Sequence, residues 1–225
     1  MGFKTRNFET TEYTEKELTP KKIIIISCEG SNTEPAYFKA IKEKLSNHIS
    51  ALIKIELVPK EAGPSNPKDV VCNLDAFLHT EYDYKSEYDD ELWVVWDRET
   101  IDDRKNKILE MLPECKEKNY NIAMTNPLFE FWLSLHVADI SKYDKTTLSV
   151  NNWETPSKNR KYIDKELSNI LTGGYNKKNF NRDIVTEDNI DKALEQEKLF
   201  ETEVKNIMDN LGSNIGDLIH NIFKT

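Results

Sequence analysis

Apolar residues in this chain fall into runs of two kinds. Short uninterrupted runs, Ile-Ile-Ile-Ile at 23–26 and Leu92-Trp-Val-Val-Trp96, predict strands buried on both faces, because a strand with one wet face would alternate. Four β-branched residues in succession also disfavour a helix. Between these runs, apolar residues recur at three- and four-residue spacing. Tyr37, Phe38, Ile41, Leu45 and Ile49 predict one helix, and Val70, Val71, Leu74, Phe77 and Leu78 predict another. Partial alternation over 52–58 predicts a strand nearer an edge, and a helix is expected over 101–118 with Ile108, Leu109 and Leu112 inward. A short strand over 121–125 then meets Asn126-Pro127, read as cap and first residue of a helix over 128–137. Alternating strands and helices predict an α/β fold, a mostly parallel Rossmann-like sheet flanked by helices.

Beyond residue 138 the strand signals stop. Helices are expected over 157–171, 187–208 and 215–223, with a break at Gly173-Gly174. The chain therefore reads as a flexible arm over 1–20, an α/β domain over 21–140, and a helical region over 141–225 packing on or beside it.

Ligands bind beyond the carboxyl ends of strands in open parallel sheets, and two strand ends here carry acids. Glu29 closes the first. Asp97 and Glu99 close the third at a spacing of two, which keeps both carboxylates on one side of an extended chain. If these strands are neighbours, three carboxylates meet; protons or a hard cation must neutralise them, and oxygen-only ligands suit Mg²⁺ or Mn²⁺. The chemistry that follows is phosphoryl transfer. Each acid also has a plain reading as a solvated loop residue or a cap. Gly30 reads as a turn residue at positive φ, and Thr33, Glu34 and Pro35 as the cap and first turn of a helix. Glu130 reads as a fourth acid or an orienter of the site, or as a charge stabilising its helix start. His136 shares an apolar stripe with Phe129, Trp132 and Leu133 and reads as a structural histidine.

Charge narrows the function classes. A net charge of −9 argues against a broad basic surface for nucleic acid, though not against an enzyme whose acids carry metal. The densest basic material is Lys177, Lys178 and Arg182, with Lys158, Arg160 and Lys161 one helix earlier; these, and Arg98 between the two strand-end acids, are candidate contacts to substrate phosphates. One glycine between Glu29 and Pro35 excludes a phosphate-binding loop. Cys28, Cys72 and Cys115 lack metal-ligand spacing and suit a reduced, cytoplasmic protein, with Cys28 buried and inert. The absence of a long apolar run argues against a membrane partner. Oligomeric state, a homo-oligomer included, is left open.

Three motifs resemble the RloB family: Cys28-Glu-Gly-Ser-Asn-Thr-Glu-Pro-Ala-Tyr-Phe38, Asp97-Arg-Glu99, and Thr125-Asn-Pro-Leu-Phe-Glu-Phe-Trp-Leu133. The likeness continues through Tyr175-Asn-Lys177 to Asn214-Ile-Gly-Asp-Leu-Ile219. It implies a Toprim-like fold, a Mg²⁺-dependent nuclease acting on RNA or DNA, and association with anti-phage and abortive-infection loci, often beside an ATPase partner. On that likeness Glu29 becomes a metal ligand or general acid/base, and Asp97 and Glu99 become metal ligands. Glu99 departs from the family's second aspartate; its longer arm moves the oxygen outward. The other class of function is a non-catalytic subunit docked on the ATPase.

Overall fold

The computed structural model describes residues 22–45, 52–60, 66–80, 89–154 and 160–223. The expected arm over 1–20 lies outside them. A five-stranded sheet in the order β2-β1-β3-β4-β5 forms the centre. It comprises β1 (Lys22–Cys28), β2 (Ile53–Leu57), β3 (Glu91–Asp97), β4 (Asn121–Asn126) and β5 (Gly212–Ser213). The first four strands run parallel, and β5 pairs antiparallel with β4.

The uninterrupted apolar runs are buried on both faces, as the pattern requires. Ile24 and Ile26 of β1 join Trp93 and Val95 of β3 on one side, while Ile25 joins Leu92, Val94 and Trp96 on the other. Helices α2 (Pro67–Thr80) and α3 (Asp102–Glu117) cover the second side through Val70, Val71, Leu74, Ile108 and Met111. The first side takes α1 (Thr33–Lys44), α4 (Phe129–Val137) and much of the later chain. That later chain contains α5 (Lys145–Val150), α6 (Tyr162–Ile170), α7 (Glu187–Glu197), α8 (Val204–Ile207) and α9 (Ile215–Phe223). Apolar residues from Ile24 to Ile222 share this one cluster, with α4 packed on α6 and α7. Among the described residues no helix is long and apolar enough to cross a membrane.

Several local expectations are corrected. Thr33 is the first helical residue of α1 and Asn32 the cap, without a side-chain cap bond, so Pro35 sits two positions inside the helix. Asn126 does not cap α4: it ends β4, is followed by a cis Asn126-Pro127 bond, and its Nδ2 donates to the Ile207 and Asn210 carbonyls at 2.8 and 2.9 Å. A buried amide here ties β4 to α8 instead of opening a helix. The helix expected over 187–208 is interrupted between α7 and α8, because Glu201 turns to bridge Gly212. Strand β5 carried no apolar signal, being two small residues long. The helix expected over 157–171 is α6, and its start at 157–159 lies outside the described residues.

Candidate active site

Strands β1 and β3 are direct neighbours, with Cys28 opposite Val95, so their carboxyl-end acids arrive side by side. The Glu29 N–H donates to the Val95 carbonyl at 3.1 Å, and the Asp97 N–H donates to Glu29 Oε2 at 3.3 Å. Beyond these strand ends lies a cleft of about 380 Å³ whose lining includes Glu29, Glu34, Asp97, Glu99 and Glu130 together with Lys60 and Lys177.

Asp97 accepts a 2.7 Å hydrogen bond from Thr125 Oγ1 on the adjacent β4. Withdrawal from solvent and the nearby Glu34 and Glu130 charges push its carboxyl well above the ordinary range. Glu34 is only 7% exposed, and its Oε1 accepts the Gly30 N–H at 3.0 Å. Burial, with Glu130 nearby, raises its pKa as well. Gly30 is not at a positive φ; a Cβ there would meet the end of the Glu34 side chain, so the glycine lets that carboxylate lie against the backbone. Glu34 is thus more than a helix-start charge.

Glu99 lines the cleft by a route the spacing did not indicate. The chain leaves the extended conformation after Asp97, and Glu99 adopts a left-handed φ of 49° with its N–H donating to the Pro127 carbonyl at 2.9 Å. Alternation along a strand therefore does not account for its position. Glu130, in the first turn of α4, is buried; its Oε1 takes the Tyr175 hydroxyl at 2.9 Å and Lys177 Nζ at 2.7 Å. Burial works against the Lys177 charge, but Glu130, with Asp164 and Asp97 beyond it, outweighs burial and raises its pKa.

Of the basic candidates, Lys177, Lys178 and Arg98 separate. Lys177 faces the cleft. Lys178 does not line it; its backbone N–H donates to Asn176 Oδ1 at 2.9 Å. Arg98 is buried and is not itself among the lining residues, with Nε on the Met208 carbonyl at 2.8 Å and Nη1 on the Glu99 and Ile101 carbonyls at 2.6 and 3.1 Å. Three backbone carbonyls engage the guanidinium and hold the turn after β3 in place, which speaks against the phosphate contact expected of it.

Two basic groups that the pattern did not single out take part. Arg104, buried in the first turn of α3, ion-pairs with Glu29 Oε2 while its Nε donates to the Asp97 carbonyl at 3.0 Å; burial lowers its pKa to about 10. Lys60, just after β2, donates to the Glu29 carbonyl, and burial lowers its pKa. Arg104 is in helical register with the core residues Ile108, Met111 and Cys115, a charged residue on the buried face that could have been noticed, whereas Lys60 lies in a loop where ordinary solvated lysines look identical. His136 is the structural residue its stripe predicts, bonded to Tyr37 Oη at 3.1 Å and the Trp132 carbonyl at 3.0 Å, with burial lowering its pKa to about 4. Burial likewise pushes the Cys28 thiol up, as for an inert core cysteine.

A family model described as RloB-like protein matches residues 24–222. The chain belongs to the RloB-like protein family. No curated protein and no solved structure gives a significant match. All the acids and lysines of the cleft in this RloB-like protein lie within the matched span.

As to a metal ion, the donors fit in kind: they are all oxygens, and acids crowded and partly stripped of water are relieved by a hard cation. They are not drawn together into a coordination group, since among the described residues no three His, Cys, Asp or Glu side chains are gathered to hold one. Glu29 in particular already has a cation partner in Arg104.

Proposed function

We propose that this RloB-like protein is a divalent-metal-dependent nuclease of Toprim type, hydrolysing phosphodiester bonds of RNA or DNA in an anti-phage defence system of the bacterial cytoplasm. The observation that carries this reading is that five acidic residues and two lysines line one cleft at the ends of adjacent parallel strands. To hold a Mg²⁺ or Mn²⁺ ion, the side chains of Asp97, Glu99 and Glu34 would have to draw together, and Glu29 would join them by exchanging its Arg104 partner. The ion, when bound, polarises a phosphate oxygen and lowers the pKa of attacking water. Thr125 fixes the Asp97 carboxylate by its hydrogen bond, and Glu130 and Tyr175 hold Lys177 at the mouth, where its ammonium can meet a phosphate oxygen. The experiment is incubation of mixed RNA and DNA with the protein and its Asp97→Asn variant, with and without Mg²⁺ or Mn²⁺. Products are expected only from the unmutated protein with metal. Undiminished cleavage by the variant would overturn the reading.

A second reading is favoured by the Glu29–Arg104 pair, which neutralises the strand-end acid without any metal. It makes the chain a non-catalytic subunit docked on an ATPase partner. Copurification with such a partner, and no metal-dependent cleavage of either nucleic acid, would select it.

A further inference from the structure

Four tryptophans occur in the chain, and three of them, Trp93, Trp96 and Trp132, are core residues. Trp153 is different: it is 56% exposed. A large aromatic side chain left in water forgoes much of the burial that normally stabilises it. Its backbone, however, is firmly built. Trp153 pairs antiparallel with Lys161, bracketed by hydrogen bonds of 2.9 Å from the Glu154 N–H to the Arg160 carbonyl and from the Tyr162 N–H to the Asn152 carbonyl. At the base of this ribbon, Asn151 is buried at a left-handed φ of 45° and its Oδ1 accepts the Ile163 N–H at 3.0 Å. The indole is therefore presented on a fixed stem.

A cation stands against it in an acidic protein. Lys161 Nζ lies over the indole, 5.7 Å from the ring centroid. Among the described residues no carboxylate pairs with it; the nearby Glu154 and Asp164 are taken by Lys165 at 2.9 Å and Arg160 at 3.5 Å. The ribbon is also tied to the cleft. Arg160 Nη2 donates to the Tyr175 carbonyl at 2.9 Å, the Tyr175 hydroxyl donates to Glu130, and Lys177 two residues on reaches the same Glu130 oxygen.

We propose that Trp153, with Lys161, is a stacking platform for an unpaired base of a single-stranded nucleic acid that also runs to the cleft. The inference rests on the nuclease reading and narrows its substrate to a strand with unstacked bases. A duplex keeps its bases stacked on one another and offers no free π-face to the indole, whereas a single strand does so whatever its sequence. Lys161 meets the adjoining phosphate, and the cation and aromatic face act together on one nucleotide.

The test is binding of fluorescein-labelled oligothymidylate, oligouridylate and a duplex of equal length to the full-length protein without metal ion, read by anisotropy. Emission of the one exposed tryptophan is followed in parallel. Single strands are expected to quench the emission. Trp153→Ala should bind either single strand about 5- to 100-fold more weakly, the loss of one base–aromatic stack, with Trp153→Phe close to the unmutated protein. Binding of either single strand in preference to the duplex supports the proposal. Preference for the duplex, no single-strand binding, or equal affinity of Trp153→Ala overturns it. Because metal is omitted, cleavage does not enter: binding through Trp153 without cleavage on adding metal would instead overturn the nuclease reading alone.

Discussion

Asp97 is where the contacts of the cleft converge. Thr125 reaches it from β4, its N–H reaches Glu29, and its carbonyl takes Arg104. Its position was legible because a continuous apolar strand must end in the crevice and the acid directly follows Trp96. Glu34 was not, since Thr-Glu-Pro reads equally as a helix start; only the fold of residues 29–32, permitted by Gly30, turns its carboxylate inward. Arg98 misled in the opposite sense, lying between two site acids in sequence while its side chain runs to Met208. This separation can be measured. Arg98→Ala leaves three backbone carbonyls without their charged donor and should lower unfolding stability by about 3 kcal/mol in denaturant titration. A phosphate contact would instead leave stability unchanged and weaken nucleic-acid binding.

At the level of elements, the sheet and its flanking helices follow from apolar periodicity, but the junctions between late helices do not. Periodicity runs through 187–208, yet the chain breaks there because the Glu201 carbonyl must accept the Ser213 N–H at 3.0 Å. The end of α7 and the start of α9 meet at Glu197, whose Oε1 accepts the Gly216 N–H at 3.1 Å. Burial raises this carboxyl to about 7, against the hydrogen bonds from Ser213 and Gly216 that favour its charge. A carboxyl raised on folding contributes stability that is present at low pH and lost as pH rises through the folded value. His136 has the opposite sign: its lowered pKa removes stability as pH falls below about 6.5, so the window to examine lies above that. Between pH 6.5 and 8.5 Glu197 should account for about 1 kcal/mol of lost stability. Glu197→Gln, which cannot ionise, should remove that part of the slope in unfolding curves at the two pH values; an unchanged slope would contradict the assignment.

Across the whole molecule, two distant parts of the chain make one site. The early acids arrive on β1 and β3, whose adjacency could be expected but not established from periodicity. Tyr175 and Lys177 close over Glu130 from more than 40 residues away; Lys177 was legible as part of a basic cluster and of the family likeness, but its pairing with Glu130 was not. Such long-range placement depends on how α4 packs against α6 and α7, and single-sequence patterns carry little of that information. What the packing creates is an excess of partly buried negative charge, which is the physical reason to expect a cation. The most direct test is calorimetric titration of Mn²⁺ into the full-length protein and its Asp97→Asn variant at pH 7.5. Saturable binding to the unmutated protein, abolished in the variant, is the predicted result; no binding to either, or equal binding to both, would contradict a metal site at Asp97.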